Sequence, residues 1–181
     1  MRSLRKSSFK AISMNLPDAE LLCQDLVRKL RSGVTDSTGL VGIRTGGAWL
    51  AERLHRELRL ATPMGALDIS FYRDDFDTAG LHHQVKPSQI PFDVNDRHIV
   101  VVDDVLYTGR TVRAAMNELF DYGRPGKIEL AALIDRGERQ LPIAAQYVGA
   151  TLSVPAGKLL RLARDEQGKF LLRLSDAKPA A

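Results

Sequence analysis

Ile99-Val100-Val101-Val102 sets four β-branched apolar residues in a row. Such a run fits a strand buried on both faces, as in a parallel sheet. Two carboxylates, Asp103 and Asp104, follow where that strand should end, and Tyr107-Thr108-Gly109-Arg110-Thr111 comes next. Beyond it Val112, Ala115, Met116, Leu119 and Phe120 recur with a helical period. Gly123 stops that helix and Pro125 lies past it.

The same alternation of strand, turn and helix recurs on either side. Leu40-Val41-Gly42-Ile43 reads as a short strand, Arg44-Thr45-Gly46-Gly47 as its turn, and Ala48, Ala51, Leu54 and Leu58 as one face of a helix. Residues 128–134 form another apolar strand, ending in Asp135-Arg136-Gly137. Leu67 to Phe71 alternates like a half-exposed strand, and Tyr72-Arg73-Asp74-Asp75 ends it. Val148 to Val154, Leu159 to Leu162 and Phe170 to Leu174 read as short strands, with Glu166-Gln167-Gly168 turning the last two. Near the start, Asn15 is the expected cap of a helix with Pro17 in its first turn, running to about Arg31.

Strands alternating with helices predict an α/β fold with a mostly parallel sheet and ligands at the strand C-terminal ends. The expected division is a basic tail over 1–14, one domain over 15–174 and a tail over 175–181. Residues 76–96 carry turn formers, His82-His83 and Lys86 with little periodicity. A loop of that length is expected to cover a site. Adjacent histidines without a third ligand read as loop residues rather than a metal site.

The 181 residues and 44% hydrophobic content suit one domain with a full core. No apolar run is long enough to span a bilayer. The single Cys23 excludes an internal disulfide and suits a cytoplasmic protein. It lies in phase with Ala19, Leu22, Leu26, Val27 and Leu30, which makes it a core residue rather than a catalytic thiol. The net charge of +4 resides in Arg2, Arg5, Lys6 and Lys10; without them basic and acidic totals match at 22. Whole-chain charge therefore gives little support for nucleic-acid binding.

The chemistry lies at the turns. Backbone N–H groups and the Thr108 and Thr111 hydroxyls can face a phosphate at a helix N-terminus. Asp103 and Asp104 can accept hydrogen bonds from vicinal sugar hydroxyls. The glycines of 44–47 permit close approach to a second anion. The layout fits a phosphorylated sugar, whereas P-loop and dinucleotide motifs are missing from the sequence.

Val102–Thr111 resembles the phosphoribosyl-pyrophosphate (PRPP) motif of type I phosphoribosyltransferases. Asp68-Ile69 with Tyr72–Asp75, Phe120–Pro125, and Asp135-Arg136-Gly137 with Leu141-Pro142-Ile143 extend the likeness. The nearest pattern is the bifunctional family of pyrimidine-operon attenuators with uracil phosphoribosyltransferase activity, and it covers about residues 19–154. The resemblance implies a five-stranded parallel sheet with a hood and a flexible loop, in dimers or tetramers. It implies conversion of uracil and PRPP to UMP and pyrophosphate with Mg²⁺ held mainly by the substrate. Asp103, Asp104 and Arg73 are then the catalytic set. Tyr107, Thr108, Gly109, Arg110 and Thr111 bind the 5′-phosphate, and Arg44, Thr45, Gly46 and Gly47 the pyrophosphate. Ile134, Asp135 and Arg136 border the base; a salt bridge to an aspartate is the alternative for Arg73 and Arg136. Two other readings stay open, a UMP-sensing RNA-binding attenuator with little activity and a phosphoribosyltransferase for another base.

Three features depart from the family pattern. Gly46 replaces an arginine of the pyrophosphate loop, so Gly46→Arg is expected to strengthen PRPP binding. Glu20 and Gln24 stand where the RNA-contact face has threonine and histidine, and Glu20 is expected to repel phosphate. Ala144 replaces an arginine. Lys29, Arg31 and Arg139 remain as basic positions for RNA.

Overall fold

The computed structural model describes residues 15–69 and 87–177. The 1–14 tail, Phe71, the Tyr72–Asp75 segment with Arg73, His82-His83 and Lys86 lie outside the described residues. In chain order the elements are α1 (Ala19–Leu30), β1 (Gly39–Ile43), α2 (Gly46–Leu58), β2 (Gly65–Leu67) and β3 (His98–Leu106). Then come α3 (Arg110–Asp121), β4 (Lys127–Asp135), β5 (Tyr147–Thr151), β6 (Lys158–Arg164) and β7 (Phe170–Asp176).

Five strands pair in parallel in the order β2-β1-β3-β4-β5. β3 is central, and its period-2 alternation divides the core. Val100 and Val102 face the cluster of α1 and α2 residues, including Leu26, Leu30, Leu50 and Leu54. Ile99 and Val101 face the α3 cluster of Val112, Ala115 and Leu119. Burying both faces is why the strand reads as an unbroken apolar run. β6 and β7 form a separate antiparallel hairpin, whose Leu162 and Phe170 join the α1–α2 side of the core.

Several local expectations shift. Asp18, not Asn15, caps α1, accepting the N–H groups of Glu20 at 2.8 Å and Leu21 at 3.3 Å. Its carboxylate adds charge complementarity to the helix N-terminus, which an asparagine lacks. The strand expected at 67–71 starts earlier, at Gly65, and is buried throughout. Its outer edge is covered by reciprocal Ala66–Gln89 backbone bonds, each 2.8 Å. Phe120 is 53% exposed; two turns beyond Val112 the helix has rotated so that Leu119 takes the core position. The C-terminal tail expected from 175 gives up Ser175 and Asp176 to β7, where they pair with Leu159 and Lys158. Among the described residues no helix is long and apolar enough to cross a membrane.

Candidate active site

Two helix N-termini and two carboxylates meet at the C-terminal ends of the central strands. β3 delivers Asp103, which is 2% exposed, and Asp104, which is half-buried. Asp103 Oδ1 accepts the Asp104 N–H at 3.0 Å. α2 starts against this point. A Cβ on Gly47 would lie 2.4 Å from the Val102 carbonyl oxygen and 3.0 Å from Asp103 Cα. Only glycine lets the first turn of α2 press onto the strand end, and with it the positive end of the helix. The Arg44–Thr45 peptide just before is cis. Thr45 is exposed and makes no side-chain cap bond. The Arg44 Nε is buried with no partner among the described residues.

On the other face of the sheet the turn from β3 to α3 gathers a second set of backbone N–H groups at a helix start. Gly109 has φ 92°, a conformation that favours glycine. Thr108 Oγ1 accepts the Arg110 N–H at 3.3 Å, and the Thr108 carbonyl accepts Gln140 and Leu141 at 3.0 and 3.2 Å. Thr111 lies in the first turn of α3, where the helix cannot satisfy its own N–H groups. Arg110 is exposed and donates to Gln140 Oε1 at 3.0 Å.

At the end of β4, Asp135 Oδ1 accepts the Gly137 N–H at 2.8 Å. Arg136 is buried and stacks on Tyr107, its guanidinium carbon 3.7 Å from the ring centroid. Among the described residues it pairs with Glu138, at 3.8 Å, and with no aspartate. The Tyr107 hydroxyl donates to the same Glu138 at 3.1 Å. Ile134 presents no surface to solvent and packs in the small cluster with Val154 and Leu160, so it backs the site rather than lining it.

Sequence reading missed Arg139 as a part of this site. Its guanidinium bonds Asp135 Oδ2 at 2.5 Å and the carbonyls of Tyr107 (2.6 Å), Ile143 (3.0 Å) and Gly137 (3.1 Å). It is turned inward and is not a free cation for RNA. The i,i+4 spacing from Asp135 was the available signal, but it reads as a helical pair and this segment is a loop.

Two more surface expectations change. Glu20 accepts Arg53 Nη1 at 2.9 Å and the Phe170 N–H at 2.7 Å, so its charge is paired and turned inward instead of repelling phosphate. Lys29 bonds Asp25 at 2.6 Å and the Val148 carbonyl at 2.7 Å. Beside them, burial pushes the Cys23 thiol up to about 11, which leaves it a packed, unreactive group.

Gly46 has no positive φ, so its backbone is open to arginine. A Cβ there would lie 2.4 Å from Asp104 Cγ, so Gly46→Arg requires the tip of the Asp104 side chain to shift.

The donor set at the mouth is hard oxygen from Asp103 and Asp104. Among the described residues no three histidine, cysteine or carboxylate side chains cluster to hold a metal ion. Two carboxylates fit a Mg²⁺ ion that keeps most of its ligands from phosphate and water.

A parallel sheet with an acidic pair and a hydroxyl loop at its strand ends defines the phosphoribosyltransferase class, and the phosphoribosyl transferase domain model matches residues 15–155. Among solved structures, the HGPRT-ase of Leishmania tarentolae in complex with GMP aligns with TM-score 0.60 at 15% identity, over 78% of this chain and 82% of that one. A hypoxanthine phosphoribosyltransferase of Staphylococcus aureus aligns with TM-score 0.61 at 20% identity, over 78% of both chains. At such identity these two establish likeness of fold. The bifunctional protein PyrR of Nitrosococcus oceani is 47% identical over 174 residues, 90% of this chain and 98% of the relative. That of Pseudomonas aeruginosa is 51% identical over 162 residues, 87% and 91% respectively. The chain belongs to the PyrR family of phosphoribosyltransferases.

Proposed function

We propose that the chain is a uracil phosphoribosyltransferase that converts uracil and PRPP to UMP and pyrophosphate. The observation that carries this reading is the meeting of Asp103 and Asp104 with two glycine-lined helix N-termini. The Thr108–Thr111 turn holds the 5′-phosphate with backbone N–H groups and hydroxyls. Asp103 and Asp104 accept the ribose hydroxyls and face the positive charge that develops at the sugar. The start of α2 and Arg44 receive the pyrophosphate, and Arg73 adds a cation to the leaving group. The bond from C1′ to the pyrophosphate oxygen breaks, the bond from C1′ to uracil N1 forms, and the N1 proton is released. Asp103 and Asp104 would help hold a Mg²⁺ ion, which would supply charge neutralisation for the leaving group. Asp135 and Arg136 border the base from the end of β4.

The test is UMP formation from uracil and PRPP with Mg²⁺, followed by pyrophosphate release. Turnover dependent on both substrates supports the reading; a folded protein that binds PRPP without product overturns it. A second reading is a UMP-sensing RNA-binding attenuator in homo-oligomers, and the name of the bifunctional PyrR relatives favours it. A gel-shift titration of leader RNA with and without UMP separates the two.

A further inference from the structure

The phosphoribosyl transferase domain match ends at residue 155, and the β6–β7 hairpin follows it. Among the described residues its strands pair only with each other. The hairpin is nevertheless fixed to the core. Phe170 is 1% exposed, and the guanidinium carbons of Arg53 and Arg164 lie 4.9 and 5.5 Å from its ring centroid. Its N–H donates to Glu20 on α1 at 2.7 Å, and Arg164 donates to the Trp49 carbonyl on α2 at 3.1 Å. Held by both helices, β6 brings its outer edge to the end of β3. There the Leu162 N–H donates to Asp104 Oδ2 at 3.1 Å. Leu162 lies opposite Leu172, and in an antiparallel pair every second residue turns its N–H away from the partner strand. The carboxylate therefore takes up a donor that β7 does not use.

Each carboxylate of the acidic pair thus has one oxygen held by a backbone N–H. Asp103 Oδ1 is held from within β3, by Asp104 at 3.0 Å. Asp104 Oδ2 is held from the hairpin, 58 residues further on. We propose that the Leu162 amide is a positioning group for Asp104, and that the hairpin completes the site by aiming this carboxylate at the sugar. The inference rests on the reading of this site as a PRPP site. An aspartate side chain left to itself samples several staggered rotamers. A charge-assisted bond from a fixed backbone selects one of them, with Oδ2 on Leu162 and Oδ1 turned to a ribose hydroxyl. Covering the core needs only the Leu162 side chain; the bond to Asp104 is a second task of the same residue.

The experiment replaces the Leu162 amide by an ester, exchanging leucine for its α-hydroxy acid, in the wild-type and Asp104→Ala backgrounds. The ester removes the donor and keeps the core side chain, and any loss from its weaker carbonyl is common to both backgrounds. In the wild-type background kcat for UMP formation should fall by at least about tenfold, within the hundredfold that an ångström-scale misplacement costs. In the Asp104→Ala background the ester should change kcat by less than about twofold. Hydrogen exchange gives a readout without turnover. Asp104→Ala should speed exchange at the Leu162 amide by at least about tenfold, while the Arg161 and Ala163 amides, which face β7, keep their protection. Equal losses in the two backgrounds, or unchanged exchange at Leu162, overturn the proposal. The exchange arm decides if the ester protein does not fold. If the wild-type chain makes no UMP, the uracil reading fails; PRPP affinity by calorimetry then replaces kcat in the same cycle, with a coupled loss in support and an additive loss against.

Discussion

The Arg139 guanidinium lies 2.5 Å from the Asp135 carboxylate and, from that anchor, reaches the Tyr107 carbonyl at 2.6 Å. One side chain therefore braces the loop after β3 against the loop after β4. Both partners are about four-fifths buried, so solvent screens the pair only in part. Hydrogen bonds to a charged group contribute about 1.5–3 kcal/mol each. Arg139→Ala should lower the unfolding free energy by about 2–4 kcal/mol, allowing for bonds lost together. Urea unfolding with unchanged m-value measures it. A change below about 0.5 kcal/mol would mark the brace as incidental.

The acidic pair should behave differently. Asp103→Asn with Asp104→Asn keeps shape and removes charge at the sugar. Turnover should fall by at least about a hundredfold while the far-ultraviolet spectrum holds. Near-normal turnover in the folded double variant would remove both residues from the chemistry.

On the proposed reading, base preference rests on Tyr107. Phosphoribosyltransferases for 6-oxopurines typically place an aspartate there to exchange a proton with the purine. Here the phenol is stacked on Arg136 and its hydroxyl donates to Glu138, so no carboxylate is offered to the base at this position. Uracil should therefore exceed hypoxanthine and guanine in kcat/KM. Competition assays in which a purine wins would reverse this assignment.

A pH effect should arise far from the site, at the opposite end of the sheet. Burial raises the Glu129 carboxyl, but bonds from Lys127, His98 and Tyr147 outweigh it and hold the group below its ordinary 4.5. A carboxyl lowered by folding stabilises the protein above its unfolded value, and that contribution is lost as pH falls through the folded value. Unfolding free energy should therefore drop below pH 4.5, and Glu129→Gln should flatten that drop. Equal acid limbs in the two proteins would assign the drop to other carboxylates.

Much of the sheet was legible because burial on both faces forces unbroken apolar strands, as in Ile99–Val102 and residues 130–134. The turn after β3 was legible because its chemistry is local: glycine with positive φ, hydroxyls, and a helix start. What escaped the sequence was contact across elements. Asp104 reaches Leu162, Glu20 reaches Arg53 and Phe170, and Arg139 turns into the loops, each over a separation that periodicity does not encode. The closeness of the Asp104 carboxylate to Gly46 is another contact that the sequence spacing does not encode.

Those same inward contacts decide how strongly this chain should hold RNA. The first helix has Glu20 and Gln24 where the family's RNA face has threonine and histidine. Glu20 does not repel phosphate, since Arg53 pairs it, but it offers no hydroxyl and is only 19% exposed. Lys29 is tied to Asp25 and Val148, and Arg139 to its loops. Ala144 lacks a base or phosphate contact worth about 1–3 kcal/mol. Arg31, Arg56 and Arg59 remain exposed together, with Glu57 among them, at one end of α1 and α2, and this net positive patch can attract phosphate without reading sequence. Binding to pyrimidine-operon leader RNA should therefore be weak, steeply salt-dependent and indifferent to scrambling. A gel-shift titration at about 0.15 M salt, with and without UMP, measures it. Submicromolar binding that UMP strengthens and a scrambled leader abolishes would overturn this prediction and make regulation the primary role.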